Sequence, residues 1–138
     1  MTDFPLADTT KSIELFLAGD VFAVAGASAN REKYGNIVFR RLIETGHRTY
    51  PLNPASDQIE GHPAYAALKD LPEVPQSLSI VTPPKITRQV VAEAIDAGVK
   101  VIWMQPGAED NEASDSARAA GIEVIDDGSC LLVLLAGS

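Results

Sequence analysis

The chain has few of the residues from which disulfide frameworks and zinc clusters are built. It contains one cysteine, Cys130, and two histidines among 138 residues. A single cysteine excludes a disulfide framework and a cysteine zinc cluster, and we expect no metal site. The fold must therefore be stabilised by a hydrophobic core, which a chain of this length forms as one domain over residues 1–138.

Long hydrophobic runs are also missing. The longest uninterrupted apolar run covers residues 130–136, far short of the roughly 18 residues that span a bilayer. Residues 1–5 show neither the basic start nor the apolar stretch of a signal peptide. These features predict a cytoplasmic protein with no membrane role.

Positive charge is scarce and unevenly distributed. Eleven Lys and Arg stand against nineteen Asp and Glu, a net charge of −8. Residues 31–48 hold five basic and two acidic side chains, whereas residues 70–138 hold four basic and eleven acidic ones. Because the acidic part would repel a nucleic acid, we expect no nucleic-acid partner. A small anion held near the basic segment remains compatible with this distribution.

Apolar runs of strand length alternate with amphipathic helical patterns along the chain. The pattern predicts an α/β fold, Rossmann-like and doubly wound, with five mainly parallel strands in the order 3-2-1-4-5. Residues 53–76 form a long connection with one helical turn near 65–68, and residues 131–135 fit either helix or strand. The predicted helices cover residues 8–18, 34–45, 85–97 and 109–120, and the predicted strands cover residues 21–25, 49–52, 78–81, 99–104 and 122–125.

Unusual loop residues follow four of the predicted strands. They are Gly26-Ala27-Ser28, Asn53-Pro54, Thr82-Pro83-Pro84 and Gln105-Pro106-Gly107. In a doubly wound sheet, ligands bind beyond the carboxyl ends of the strands, where the strand order reverses. For the predicted order this crevice lies between the first and fourth strands, and we expect all four loops to surround it.

The loop over residues 26–36 is the best candidate for phosphate binding. Gly26 lets the backbone approach a ligand closely, and Ser28 offers a hydroxyl. The helix that begins near Tyr34 or Gly35 would present unpaired amides to an anion. The cations just ahead of that helix are Arg31 and Lys33. A purely structural role for this loop, with Gly26 making the turn and the cations solvated, stays open.

The usual dinucleotide-binding fingerprint is missing. The pattern G-x-G-x-x-G would require glycines where the chain has Ser28 and Arg31. The second strand ends in Leu52-Asn53-Pro54, without the acidic residue that binds a ribose hydroxyl. NAD is therefore a weaker candidate than another nucleotide, although an NAD(P)-type redox protein remains an alternative.

Several short motifs follow one another in a fixed order, at residues 24–28, 33–36, 50–54, 61, 81–84, 103–107 and 130. This ordered set resembles the small stand-alone CoA-binding domain family, which is similar to the N-terminal CoA-binding domain of the succinyl-CoA synthetase alpha subunit. The resemblance implies coenzyme A (CoA) or an acyl-CoA as the cofactor.

The resemblance also implies a role for each group of site residues. The residues that it places beside the phosphates are Gly26, Ala27, Ser28, Lys33 and Tyr34. It places Asn53 and Pro54 at the border of the nucleotide and Gln105 near the mouth of the site. The residues that would line the groove are Val81, Thr82 and Pro83. The chain departs from the family where a basic residue often follows the Asn-Pro pair, since Ala55 stands there. Arg31 or Arg48 is the candidate replacement.

No catalytic constellation is evident. Neither His47 nor His62 has a Ser, Cys or Asp at a recognisable catalytic spacing. In the synthetase the chemistry is performed by a phosphorylated histidine on a further domain, which we do not expect here. The prediction is a non-catalytic carrier or sensor of CoA, with a regulatory subunit of an acyl-CoA synthetase as another alternative. Its partner would be a second copy or an acyl-CoA-forming enzyme.

Four further residues each have a structural interpretation. Trp103 is expected in the core, and Asp126 and Asp127 at a solvated strand end. Cys130 is either a small buried hydrophobe or the partner of the CoA thiol in a mixed disulfide.

Overall fold

A computed structural model describes residues 7–135 of the chain, and the side chains of residues 9–135. The helices are α1 (Ala7–Leu17), α2 (Tyr34–Glu44), α3 (Pro84–Ala97), α4 (Asn111–Ala119) and α5 (Leu131–Leu135), with a 3-10 helix at Leu68–Asp70. The strands are β1 (Val21–Ala25), β2 (Arg48–Leu52), β3 (Gln58–Ile59), β4 (His62–Pro63), β5 (Ser77–Ile80), β6 (Val101–Met104) and β7 (Glu123–Ile125). The predicted α/β class, single domain and main elements are confirmed.

The main sheet has five parallel strands in the order β2-β1-β5-β6-β7. Counted along the chain this order is 2-1-3-4-5, so the predicted order 3-2-1-4-5 is wrong. The strands themselves explain the difference. β2 carries Pro51, which has no amide hydrogen and suits an edge strand, and Arg48 is exposed. All four residues of β5 are buried, as a strand with neighbours on both sides requires.

The corrected order moves the binding crevice. The strand order reverses at β1, because β2 lies on one side of it and β5 on the other. The crevice therefore lies between the carboxyl ends of β1 and β5, not between the first and fourth strands.

Each face of the sheet is covered by its own group of helices. On one side α1, α2 and α5 pack over an aromatic cluster, in which the Phe16 ring lies 5.4 Å from Phe22 and 5.2 Å from Trp103. Trp103 is fully buried, as expected for a core residue, and its indole N–H donates to the Ser129 carbonyl at 2.9 Å. On the other side α3 and α4 pack against smaller residues of β1, β5 and β6.

The connection between β2 and β5 holds a feature that the sequence did not predict. Strands β3 and β4 form an antiparallel hairpin of two residues each. The single helical turn expected near residues 65–68 lies a little later, as the 3-10 helix Leu68–Asp70. This hairpin matters for the site because its turn reaches the loop after β1.

Candidate functional site

Two glycines bring the end of β1 against the start of α2. Gly26 follows β1 with a φ of +89°, and a Cβ there would lie 2.6 Å from the Val81 carbonyl oxygen. A Cβ on Gly35 would lie 2.0 Å from the Gly26 carbonyl oxygen. The backbone amides of Tyr34 and Gly35 donate no hydrogen bond to any described residue. A helix start with open amides therefore lies at the crevice, an arrangement that favours anions.

A cleft of about 290 Å³ opens beside this contact. The predicted site residues that line it are Gly26, Asn53, Pro54 and Thr82, which come from the loops after β1, β2 and β5. These loops converge because the carboxyl ends of neighbouring parallel strands lie at one edge of the sheet.

Sequence reasoning missed the opposite wall of this cleft. It consists of Ala66, Ala67, Ile86, Gln89, Val90 and Glu93. A signal was available, since Ile86, Val90 and Glu93 follow the spacing of one face of α3. Ile86 is apolar but 44% exposed, so this face of α3 presents apolar surface to the solvent.

Hydrogen bonds to neighbouring loops hold the polar residues of the cleft in place. The side-chain amide of Asn53 donates to the Ala27 carbonyl at 2.8 Å, and its oxygen accepts from the Ala55 amide at 2.7 Å. The Thr82 hydroxyl lies 2.9 Å from the hydroxyl of Thr87, which is fully buried. Asn53 thus joins the loops after β1 and β2.

The loop between Gly26 and α2 contains the candidate cations. The Ser28 hydroxyl accepts from the Asn30 amide at 3.1 Å, which stabilises the turn. The Arg31 guanidinium lies 3.2 Å from a carboxylate oxygen of Glu60. Lys33 is exposed, and none of the ion pairs found among the described residues involves it.

The structure separates the two cations that could replace the missing basic residue. Arg48 begins β2 and pairs with Glu73, so it lies at the opposite end of that strand from Asn53. Arg31 lies in the loop after β1, at the edge where the cleft opens. Of the two candidates, only Arg31 is at the binding edge.

Tyr34 connects the start of α2 to the segment before α5. Its hydroxyl lies 2.6 Å from the Cys130 sulfur and 3.4 Å from a side-chain oxygen of Gln105. Burial, and next the hydrogen bond to Cys130, raise the pKa of Tyr34 above its ordinary value, so the hydroxyl stays neutral near pH 7.

The cleft is not lined by the predicted site residues Gln105, Ala27, Val81 and Pro83. Gln105 is fully buried, and its amide accepts from the Leu131 N–H at 2.9 Å and donates to the Ser79 hydroxyl at 3.2 Å. Ala27 is also fully buried. The Val81 N–H donates to the Ala25 carbonyl at 2.8 Å, and Pro83 precedes α3. Direct contact of these residues with a ligand stays a prediction.

The remaining candidate residues have structural partners. The His47 ring packs against Phe22 at 4.7 Å, and the His62 ring packs against Phe39 at 5.4 Å. Asp126 pairs with Arg118 at 2.9 Å, while Asp127 accepts hydrogen bonds from Ser129. These contacts give each of the four side chains a structural role.

A glycine-built turn, an open helix start and a cleft at the switch point define a Rossmann-like domain of the kind that binds nucleotide cofactors. The chain belongs to the CoA-binding domain family, whose model matches residues 20–136. Within residues 7–135, no helix has both the length and the apolar character needed to cross a membrane.

Solved structures and curated proteins agree with this assignment. A conserved hypothetical protein of Pyrococcus furiosus is 41% identical with a TM-score of 0.76, over 82% of this chain and 97% of that one. A hypothetical protein of Pyrococcus horikoshii is 31% identical with a TM-score of 0.78, over 91% and 84%. The alpha subunit of the ADP-forming acetate–CoA ligase II of P. furiosus is 37% identical over 79 residues, which is 56% of this chain but only 17% of that subunit.

Proposed function

We propose that this domain binds CoA or an acyl-CoA at the carboxyl edge of its sheet and serves as a carrier or sensor without catalysis of its own. The observation that supports this most directly is the contact between Gly26 and Gly35, which places the open amides of α2 beside the cleft. Anions are favoured at such a helix start. The relation to an acetate–CoA ligase subunit gives the ligand class.

The cleft suits the nucleotide part of this ligand. Its volume of about 290 Å³ is at the lower end of ligand sites, so it holds a nucleotide rather than the whole cofactor. Ile86 and Val90 supply an apolar wall for the base, while Asn53 and Thr82 lie at the polar side. The pyrophosphate then lies toward the amides of α2 and Lys33, and the pantetheine arm extends out of the cleft.

A carrier or sensor fits the chemistry of the surrounding side chains better than an enzyme does. The Cys130 sulfur contacts a tyrosine hydroxyl rather than a base. Both histidines pack their rings against phenylalanines. The hydroxyl side chain that lines the cleft, Thr82, contacts the hydroxyl of Thr87 rather than a base, and the Thr45–His47 contact of 2.8 Å lies before β2, at the opposite edge of the sheet. The cleft therefore has no nucleophile held by a general base, which covalent catalysis requires.

Calorimetric titration with CoA tests this proposal through one matched pair of variants. Ile86→Glu places a carboxylate in the cleft, whereas Leu15→Glu places one on α1. Helix α1 lies at the opposite end of β5 from the cleft, because the Ser77 hydroxyl at the start of β5 donates to the Phe16 carbonyl. Their side chains are similarly exposed, at 44% and 51%. We expect Ile86→Glu to weaken CoA binding by about tenfold or more, and Leu15→Glu to leave it unchanged. Equal CoA affinities of the two variants would reject the cleft as the binding site. No heat from the wild type with millimolar CoA would reject the proposed CoA binding.

Two alternatives give different results in the same experiment. An NAD(P)-type redox protein would bind NADH more tightly than CoA, but β2 is followed by Asn53 rather than by an acidic residue, and the Asn53 side chain is already bonded to Ala27 and Ala55. A regulatory subunit would copurify with an acyl-CoA-forming enzyme and bind no CoA by itself. A homodimer and a cytoplasmic location belong to the same proposal, and sedimentation and cell fractionation test them.

A further inference from the structure

Glu60 has an unusual backbone conformation in the turn of the β3–β4 hairpin. Within residues 7–135 it is the only non-glycine residue with a positive φ, at +52°, and Gly61 follows at +80°. Two successive left-handed residues form the turn that two-residue hairpins prefer, and Asn, Asp or Gly is the usual choice at the first of them. A glutamate there costs conformational energy, so its side chain is the feature to examine.

The Glu60 side chain reaches the loop after β1. One carboxylate oxygen accepts from the Asn36 side-chain amide at 3.1 Å and lies 3.2 Å from the Arg31 guanidinium. Asn36 is fully buried, and the same amide group donates to the Ser28 carbonyl at 2.8 Å. The hairpin is therefore tied to the candidate phosphate loop through one buried amide and one ion pair.

This arrangement keeps Glu60 charged and Arg31 engaged. The hydrogen bond from Asn36, and then the charge of Arg31, lower the pKa of Glu60, so the carboxylate is ionised near pH 7. The Arg31 side chain is still 66% exposed, which leaves it free to turn toward another anion. Because the Glu60 carboxylate neutralises Arg31 through its Nε, a ligand phosphate gains the full charge of Arg31 only when this ion pair is broken.

We propose that Glu60 sets the affinity and selectivity of the CoA site by competing with the ligand's phosphates for Arg31. This inference rests on the proposed function. Binding of a phosphate-bearing ligand exchanges the Arg31–Glu60 ion pair for an Arg31–phosphate pair. A ligand without phosphate, such as adenosine, makes no such exchange and is insensitive to Glu60.

The test compares CoA and adenosine in calorimetric titrations at low ionic strength. Glu60→Gln keeps the side-chain length and an acceptor for Asn36 and loses the charge. We expect it to bind CoA about two- to fivefold more tightly than the wild type, the range that an exposed ion pair is worth. Affinity for adenosine is unchanged, and in an Arg31→Gln background the substitution of Glu60 has no effect on CoA binding.

Two further variants control for net charge and for folding. Glu112→Gln removes a carboxylate that also pairs with an arginine, Arg88, at 3.1 Å, and it leaves CoA affinity unchanged. Glu60→Gly removes the carboxylate and suits the positive φ, so it also binds CoA more tightly and melts cooperatively.

The outcomes separate this inference from the proposed function. If the wild type binds CoA and neither Glu60 variant binds it more tightly, the competition is rejected, and Glu60 only positions the loop. A gain that persists in the Arg31→Gln background rejects it as well. If no folded variant and no wild-type protein binds CoA, both the proposed function and this inference are rejected.

Discussion

The carbonyl oxygen of Gly26 occupies the space that a side chain on Gly35 would need, since a Cβ there would lie only 2.0 Å from it. The end of β1 and the start of α2 are therefore in backbone contact. This contact fixes where the open amides of the helix point. The dinucleotide fingerprint uses its third glycine for the same close packing of helix and strand. Here that role falls to a glycine nine positions after Gly26, outside the fingerprint's spacing.

Gly35→Ala should destabilise the protein, against the usual effect of this substitution in a helix. Glycine to alanine inside a helix ordinarily stabilises by up to about 1 kcal/mol. Because the new methyl group would overlap the Gly26 carbonyl, we expect instead a loss of roughly 1–3 kcal/mol in the free energy of unfolding. CoA affinity should also fall, since α2 must move away from β1. Urea denaturation and calorimetry measure the two effects.

Gly46→Ala is the control for this prediction. Gly46 has a φ of +87° and no atom within 4 Å of its ideal Cβ position. The substitution strains the backbone by about 1–2 kcal/mol without any overlap, and CoA affinity stays at the wild-type value. Wild-type stability in Gly35→Ala would contradict the close contact.

Asn53→Asp should weaken both the site and the fold. An ionised carboxylate cannot donate to the Ala27 carbonyl, which Asn53 now contacts at 2.8 Å, and it adds a negative charge where phosphates are expected. We expect a loss of about 1–3 kcal/mol in stability and at least about tenfold in CoA affinity. Asn111→Asp adds the same charge at the exposed start of α4 and should change neither quantity. Tight CoA binding by Asn53→Asp would argue against the role of this loop.

The elements and the binding edge could be predicted from the sequence because local patterns carry them. Each pattern is a short stretch of consecutive residues: the apolar run at β1 with the glycine after it, the turn residues after β2, and the turn residues after β5. The strand order could not be derived from these patterns alone. Pro51 in β2 was an available signal, but Ser77 and Ser79 give β5 the alternating pattern of a half-buried strand, which conceals its complete burial. An edge strand tolerates proline, and a central strand requires burial on both faces.

The parts of the site that were missed depend on contacts between distant segments. Glu60 meets Arg31 only because a two-residue hairpin folds back onto the loop after β1. The α3 wall of the cleft follows the motif at residues 81–84 closely along the chain, but it meets the loop after β2 only in the folded sheet. Composition and periodicity describe each segment, but they do not say which segments meet.

Asp110 should contribute to stability in a way that depends on pH. Its side chain caps α4 by accepting from the Ala113 amide at 2.9 Å and pairs with Arg88 at 2.9 Å. The Arg88 hydrogen bond, followed by the Ala113 amide, lowers the pKa of this carboxyl in the folded protein. A lowered folded-state pKa gives a contribution that is present above about pH 4 and is lost as the pH falls through the folded-state value.

Asp110→Asn tests this contribution, because asparagine still caps a helix but cannot pair with Arg88. We expect the variant to be less stable than the wild type at pH 7, with a difference that disappears in acid. Asp115→Asn, on the exposed side of the same helix, should show no such pH-dependent difference. Chemical denaturation at several pH values measures all three proteins. A difference that is constant across pH would contradict the assignment.

Cys130 should react with oxidised CoA if the pantetheine arm leaves the cleft toward Tyr34. The Cys130 thiolate attacks the disulfide, forms a mixed disulfide with one CoA and releases the other as a thiolate, so no further oxidant is needed. The Tyr34 hydroxyl, 2.6 Å from the sulfur, is the group that can donate a hydrogen bond to that thiolate. We therefore expect Tyr34→Phe to form the adduct more slowly, and Cys130→Ser to form none. Intact-mass measurement over time follows the reaction.

Recognition of the ligand can be separated from simple thiol reactivity by a second disulfide. Oxidised glutathione has no nucleotide to occupy the cleft, so it should modify Cys130 more slowly than oxidised CoA does. Ile86→Glu should remove this preference by weakening binding in the cleft while leaving Cys130 unchanged. Equal rates with the two disulfides in the wild type would show that the thiol reacts without guidance from the site. No adduct at any pH would place the end of the pantetheine arm away from Tyr34 and Cys130.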